Sequence, residues 1–159
     1  MPEDVKPPRL ASDERATLRA LLRYQRDSMV RKVTGVDDTA ARRAFVGSGT
    51  SLLWLVKHMT RAETVWILRR FAGQQVPIPD DTVHPHDSLV TAMAAYRDTW
   101  TRVDAVIEAV PSLDEACRDV GDAAPVNLRW VLMHLLEETA RHAGHADIMR
   151  ELIDGQTGR

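Results

Sequence analysis

The sequence predicts an all-α fold, an up-down-up-down four-helix bundle, and three observations carry that expectation. Apolar residues recur at helical spacing in four separate segments. Capping or stopping residues flank each segment. No segment shows the sustained alternation of a strand. Four amphipathic helices without a sheet must bury their stripes on one another, and a bundle does so. The 159 residues are expected to form one domain, 1–159, large enough to bury a core without a disulfide or metal staple.

The first helix is expected over 12–34. Ser12 can cap it, and Asp13 and Glu14 suit the positive end of the helix dipole. Leu18, Leu21, Leu22, Met29 and Val33 line one face, and Gly35 ends the run. Its arginines (Arg15, Arg19, Arg23, Arg26, Arg31) alternate with apolar positions and acids, the pattern of a solvated face.

A polar connection through Asp37, Asp38 and Gly47-Ser48-Gly49 leads to a second helix over 51–72, capped by Thr50 or Ser51. Leu52, Leu55, Val56, Met59, Trp66 and Ile67 form its stripe, and Gly73 stops it. Pro77, Pro79 and Pro85 keep the following loop out of helix. A third helix over 87–110 starts at Asp87 or Ser88, carries Leu89, Met93, Tyr96, Trp100, Val103 and Ile107, and ends before Pro111. After a polar stretch holding Cys117, Gly121 and Pro125, a fourth helix over 127–153 starts near Asn127 and closes at Gly155.

Composition narrows the function. The net charge of -2 lacks the basic excess that nucleic acid selects, so no nucleic-acid partner is expected. No run of 18 apolar residues occurs, which argues against a membrane span. The charged, proline-rich N-terminus lacks an apolar signal core, and a single cysteine permits no internal disulfide. The cytoplasm is the expected location. Trp54, Trp66, Trp100 and Trp130 suit core or interface anchors, the latter compatible with a homodimer.

The fourth helix carries the unusual feature. Its a/d seam runs Val131, Leu135, Glu138, His142, His145, Met149, Leu152, with an acid and two imidazoles in the middle of an apolar stripe. An ionised carboxylate in a bundle core is costly unless paired. Two explanations stay open at this point: a satisfied polar network, or Glu138 and His142, one turn apart, ligating a divalent metal. A metal needs a further protein ligand, and His58, on an inward edge of the second helix between Leu55 and Ala62, is the candidate. Two His, one Glu and a water would be a catalytic-type zinc set; Ni2+, Fe2+ and Mn2+ also accept these ligands. His145 can act as an outer-shell donor, a proton carrier or a fourth ligand. His134 can orient Glu138, and His84 and His86 belong to the surface loop.

Two blocks, SGTSLLWLVKHMTRAETVWILRRFAG and NLRWVLMHLLEETARHAGHADIMRELIDG, make the chain resemble the DinB-like superfamily of metal-binding four-helix bundles. The resemblance spans nearly the whole chain and is strongest to its actinobacterial DUF664 branch. It implies a divalent metal held by one His of the second helix and two residues four apart on the last. His58 answers to the first. Glu138 stands where many relatives have His and some have Glu, among them the mycothiol-dependent maleylpyruvate isomerase. His142 matches the His of a terminal His-x-Gly-Gln/His signature, with His145 replacing the frequent Gln. The implied chemistry is S-transfer, in detoxification or stress: the metal activates a low-molecular-weight thiol such as mycothiol, which attacks a small electrophile. A metal-dependent hydrolase with His145 handling a proton, and a non-enzymatic metal-binding or interaction bundle, are the alternatives. Cys117, in a polar loop, is expected to be an ordinary free thiol.

Overall fold

The computed structural model describes residues 5–119, 121 and 124–157. The first four residues of the proline-rich N-terminal stretch, and Val120, Asp122 and Ala123 of the last connection, lie outside them. Five α-helices are present among the described residues: α1 (Glu14–Val33), α2 (Asp38–Ala41), α3 (Leu52–Glu63), α4 (Leu89–Ala109) and α5 (Leu128–Asp154). The only β pairing there is an isolated bridge between Ala116 and Asn127.

Each long helix begins on a side-chain cap that satisfies an orphan backbone N–H. The caps are Asp13, Ser51, Ser88 and Asn127. Asp13 rather than Ser12 caps α1, accepting from the Ala16 N–H. The short α2 lies in what reads as a plain polar connection. Its Asp38 accepts from the Leu89 N–H and ties α2 to the start of α4.

The second long helix departs from the sequence expectation of one α-helix over 51–72. After Glu63 it widens into a π-helical segment, Thr64–Phe71. Thr60 and Thr64 return their hydroxyls to the carbonyls of Val56 and Thr60, which compete with the regular ladder. The Ala72 N–H then closes on Ile67 O, five residues back. Gly73 ends the segment at φ +67, where a Cβ would come within 3.2 Å of Arg118.

The helix directions correct the expected up-down-up-down order to up-down-down-up. Arg129, at the start of α5, pairs with Glu14 at the start of α1, and Arg150 near its end donates to Lys32 O and Thr34 O. So α1 and α5 run parallel. Lys57 of α3 pairs with Asp87 just before α4, while Phe71 and Val106 share a cleft at the other end, so α3 and α4 are also parallel. The strap 72–88 carries the chain back along α3 to make this possible. Arg69, Arg61, Lys57 and Arg42 hold it by donating to Val76 O, Pro79 O, Thr82 O and His84 O in turn.

The core has two apolar halves with a polar layer between. Leu22, Ile67, Leu68, Val103, Leu128 and Leu135 belong to one half. Met29, Leu52, Leu55, Met59, Tyr96 and Ala146 belong to the other. In the layer, Arg26 donates to both Glu63 oxygens, at 2.9 and 2.6 Å, and to Asp104 at 2.7 Å. Arg26 is 1% exposed, which corrects the expectation of a solvated arginine face on α1. Burial works against its charge, but the Glu63 and Asp104 carboxylates outweigh it and raise its pKa above the ordinary arginine value. The buried carboxylate of Glu63 needs this cation, and an arginine fork can satisfy two acids at once.

Candidate metal centre

The metal-ligand candidates meet in the groove between α3 and α5, which cross antiparallel there. His58 Nε2 and His142 Nε2 each lie 3.2 Å from Glu138 Oε1. The three ligand atoms fall within 4.8 Å of one another. A tetrahedral ion bound at about 2.0–2.1 Å spaces its ligands about 3.3 Å apart, so two of the three separations already suit one. Two imidazoles and a carboxylate are an appropriate donor set for a divalent cation.

The surroundings orient these groups. Asp81 Oδ2, on the strap, lies 3.0 Å from His58 Nδ1. With a metal on Nε2, Nδ1 would carry the proton and donate to Asp81, the carboxylate–histidine arrangement that fixes a ligating ring and its tautomer. Trp54 stacks on His58 with ring centroids 4.6 Å apart. On the other imidazole, His142 Nδ1 lies 3.3 Å from His145 Nδ1.

Electrostatics favour the deprotonated, ligating forms. Burial pushes the Glu138 carboxyl upward, but its bond to His58 and the neighbouring His142 prevail and hold it below the usual carboxylate value. Burial lowers His142, and His58 adds to that, against the pull of Glu138. Both groups therefore resist protonation near neutral pH.

The a/d seam is followed only in part. Val131, Leu135, His142 and Met149 are buried, whereas His145 is exposed and Leu152 is 57% exposed. A strict 3.5-residue seam drifts around a straight helix by ~20° per heptad. Over three heptads that turns Leu152 outward, and Thr139, Ala143, Ala146 and Arg150 fill the buried positions. His134 makes no hydrogen bond to Glu138 among the described residues; it stacks on Trp130, meets the edge of Trp66, and its nearest carboxylate is Glu137. His84 reaches Asp80 in the exposed strap, and His86 stays at the surface. Cys117 is half-buried, and burial raises its thiol pKa despite Arg70 nearby, so the structure gives it no activated character. Asp81 and Trp54 are the residues of the centre that the sequence did not disclose. Trp54, one turn before His58, had a signal in its spacing; Asp81 had none.

A helical bundle with a His2Glu cluster able to coordinate a divalent metal, set between its second and last long helices, fits the DinB-like class. The chain belongs to the mycothiol-S-transferase family, whose model matches residues 17–155. Among solved structures it is similar to a conserved protein of Enterococcus faecalis, with 14% identity, a TM-score of 0.68, and coverage of 92% of this chain and 100% of that one. That likeness supports the fold. No curated protein sequence matches the chain. No described helix is long and apolar enough to cross a membrane.

Proposed function

We propose that this protein is a metal-dependent S-transferase that joins a low-molecular-weight thiol, of which mycothiol is the first candidate, to a small electrophile. The observation that carries it is the His58, Glu138, His142 cluster in a mycothiol-S-transferase family member. These three residues would hold the ion, with Zn2+ favoured by the His2Glu set and Ni2+, Fe2+ or Mn2+ as substitutes. A bound divalent ion supplies Lewis acidity that lowers the pKa of a thiol.

The chain's own residues do the rest. Asp81 and Trp54 hold His58 in its ligating orientation. With the ion on His142 Nε2, the His142 Nδ1–H would donate to His145 Nδ1, leaving the His145 ring proton on Nε2. His145 acts by positioning His142 and by offering a donor, and its place outside the cluster makes it a poor fourth ligand. Beyond His145 lies a cavity of about 370 Å³ walled by Phe45, Val46, Ile148, Met149 and Leu152. Its apolar lining suits the carbon body of the electrophile. Bond formation joins sulfur to the electrophilic carbon. A halide departs with its bonding pair and the thiol proton passes to water, whereas an epoxide C–O or enone C=C bond opens and the product oxygen or carbon takes up a proton. A free cytoplasmic thiol pool would supply the cosubstrate.

The test is conjugate formation followed by mass spectrometry, with metal-reconstituted protein, mycothiol and a chromogenic aryl halide. A thiol-dependent adduct above the uncatalysed rate, absent with Glu138→Ala, is expected. Adduct formation at the background rate across a panel of halides, epoxides and enones would overturn the transferase reading. Water-only turnover of such electrophiles would favour a hydrolase instead.

A further inference from the structure

The groove that holds the metal centre continues along two facing ridges with the same spacing. On α3 and the π-helical segment, Trp54, His58, Ala62, Trp66 and Arg70 follow one another at intervals of four residues. On α5, running the other way, His142, Glu138, His134 and Trp130 do the same. His58 meets Glu138 and His142 at one end. Trp66 meets Trp130 and His134 at the other, at centroid distances of 5.3 and 4.7 Å. Ala62, with no side chain beyond Cβ, stands between the two ends.

The far end is a cleft of about 250 Å³. Trp66, Trp130, Cys117 and Val126 make its apolar wall, while Arg70 and Asp119 supply charge at the same cleft. Arg70 lays its guanidinium 4.3 Å over the Trp66 ring, and Trp130 is 43% exposed. Asp119 is exposed and Arg70 partly so, and one Asp119 oxygen accepts from the Gly121 N–H, so the cleft presents an indole wall with a cation and a carboxylate at its solvent-facing rim. It matches a polyol ring, whose C–H face lies on the indole and whose hydroxyls reach the guanidinium and carboxylate.

We propose that this Trp66–Trp130–Arg70 cleft binds the polyol portion of the thiol cosubstrate, a sugar or cyclitol ring, while the sulfur is delivered to the metal centre. The inference rests on the thiol-transfer reading and adds a subsite to it. From Trp130 to Glu138 is two turns of α5, about 12 Å, a span that an extended thiol carried on two rings covers. The cavity beside His145 lies toward the other end of the same helix, so the two cosubstrates would approach the centre from opposite sides. Thiol choice would then lie in the aromatic cleft and electrophile choice in the cavity.

The experiment is calorimetric titration of the metal-loaded protein with two probes: mycothiol, and the glucosamine–inositol pseudo-disaccharide that lacks its cysteine. Trp130→Ala, at a half-exposed site, and Arg70→Gln serve as separate variants, with metal content as the control for folding. The pseudo-disaccharide is expected to bind the unaltered protein and to compete with mycothiol. Each variant should weaken both probes about tenfold at unchanged metal content, the scale of losing an aromatic or charge-assisted contact. Tight mycothiol binding that neither variant changes, or no competition by the pseudo-disaccharide, would overturn the subsite and leave thiol transfer standing. No binding of mycothiol at all would overturn both.

Discussion

Replacing Asp81 by Asn should weaken the metal site without disturbing the fold. Asp81 Oδ2 lies 3.0 Å from His58 Nδ1, and the strap around it is fastened independently, by Arg61 on Pro79 O and Lys57 on Thr82 O. Loss of the carboxylate therefore leaves the loop in place. Removing an outer partner of a ligating His typically costs about 10–100-fold in metal affinity. Asp81 and His58 are each about a quarter exposed, 25% and 23% by side chain, so solvent screens the pair and the lower end applies. Asn keeps an acceptor oxygen but loses the charge. About tenfold, or ~1.4 kcal/mol, is expected for Asn, and a larger loss for Ala, which also frees the ring to turn. Competition against a chromogenic chelator at neutral pH reads both. Affinity within twofold of the unaltered protein for both variants would refute an orienting role.

Arg26→Met should destabilise by about 3–5 kcal/mol, because it strands the fully buried Glu63. The Arg26→Met, Glu63→Met double variant should regain most of that loss in denaturant titration; a single-variant cost under about 1 kcal/mol would show that the pair matters little. The metal-free protein should become less stable as pH falls below the ordinary histidine value of about 6.5. His142 has a lowered pKa when folded, so the unfolded chain binds more protons in the window between the two values and acid favours unfolding. Its contribution is present above the unfolded pKa and fades as pH falls toward the folded one. His142→Gln should flatten that part of the pH profile, and an unchanged slope would count against the assignment.

Periodicity made the four long helices and most buried positions legible, since a 3.6-residue repeat is written directly in residues such as Leu52, Leu55, Val56 and Met59. Glu138 and His142 were legible for the same reason: a charge in an apolar stripe calls for a partner. Helix direction was not, because a stripe looks alike read upward or downward. The length of the strap was the available clue, since a long connection can run back along the bundle whereas a short one forces antiparallel neighbours. Arg26 misled because its partner, Glu63, lies 37 residues away on another helix. Asp81 reaches His58 across 23 residues through a proline-rich loop, a contact that no local repeat encodes. The shift to π-helix over Thr64–Phe71 left no mark in the apolar spacing, since Thr139 makes the same hydroxyl-to-carbonyl bond as Thr60 and Thr64 inside a regular helix.

The centre itself is tested most directly by elemental analysis of protein purified without an affinity tag, beside His58→Ala, Glu138→Ala and His142→Ala variants confirmed to be folded. Close to one divalent metal per chain, lost in each variant, is the predicted result. A folded protein that takes up no metal on reconstitution, or variants that keep it, would contradict the metal centre and return the cluster to a polar network of the core.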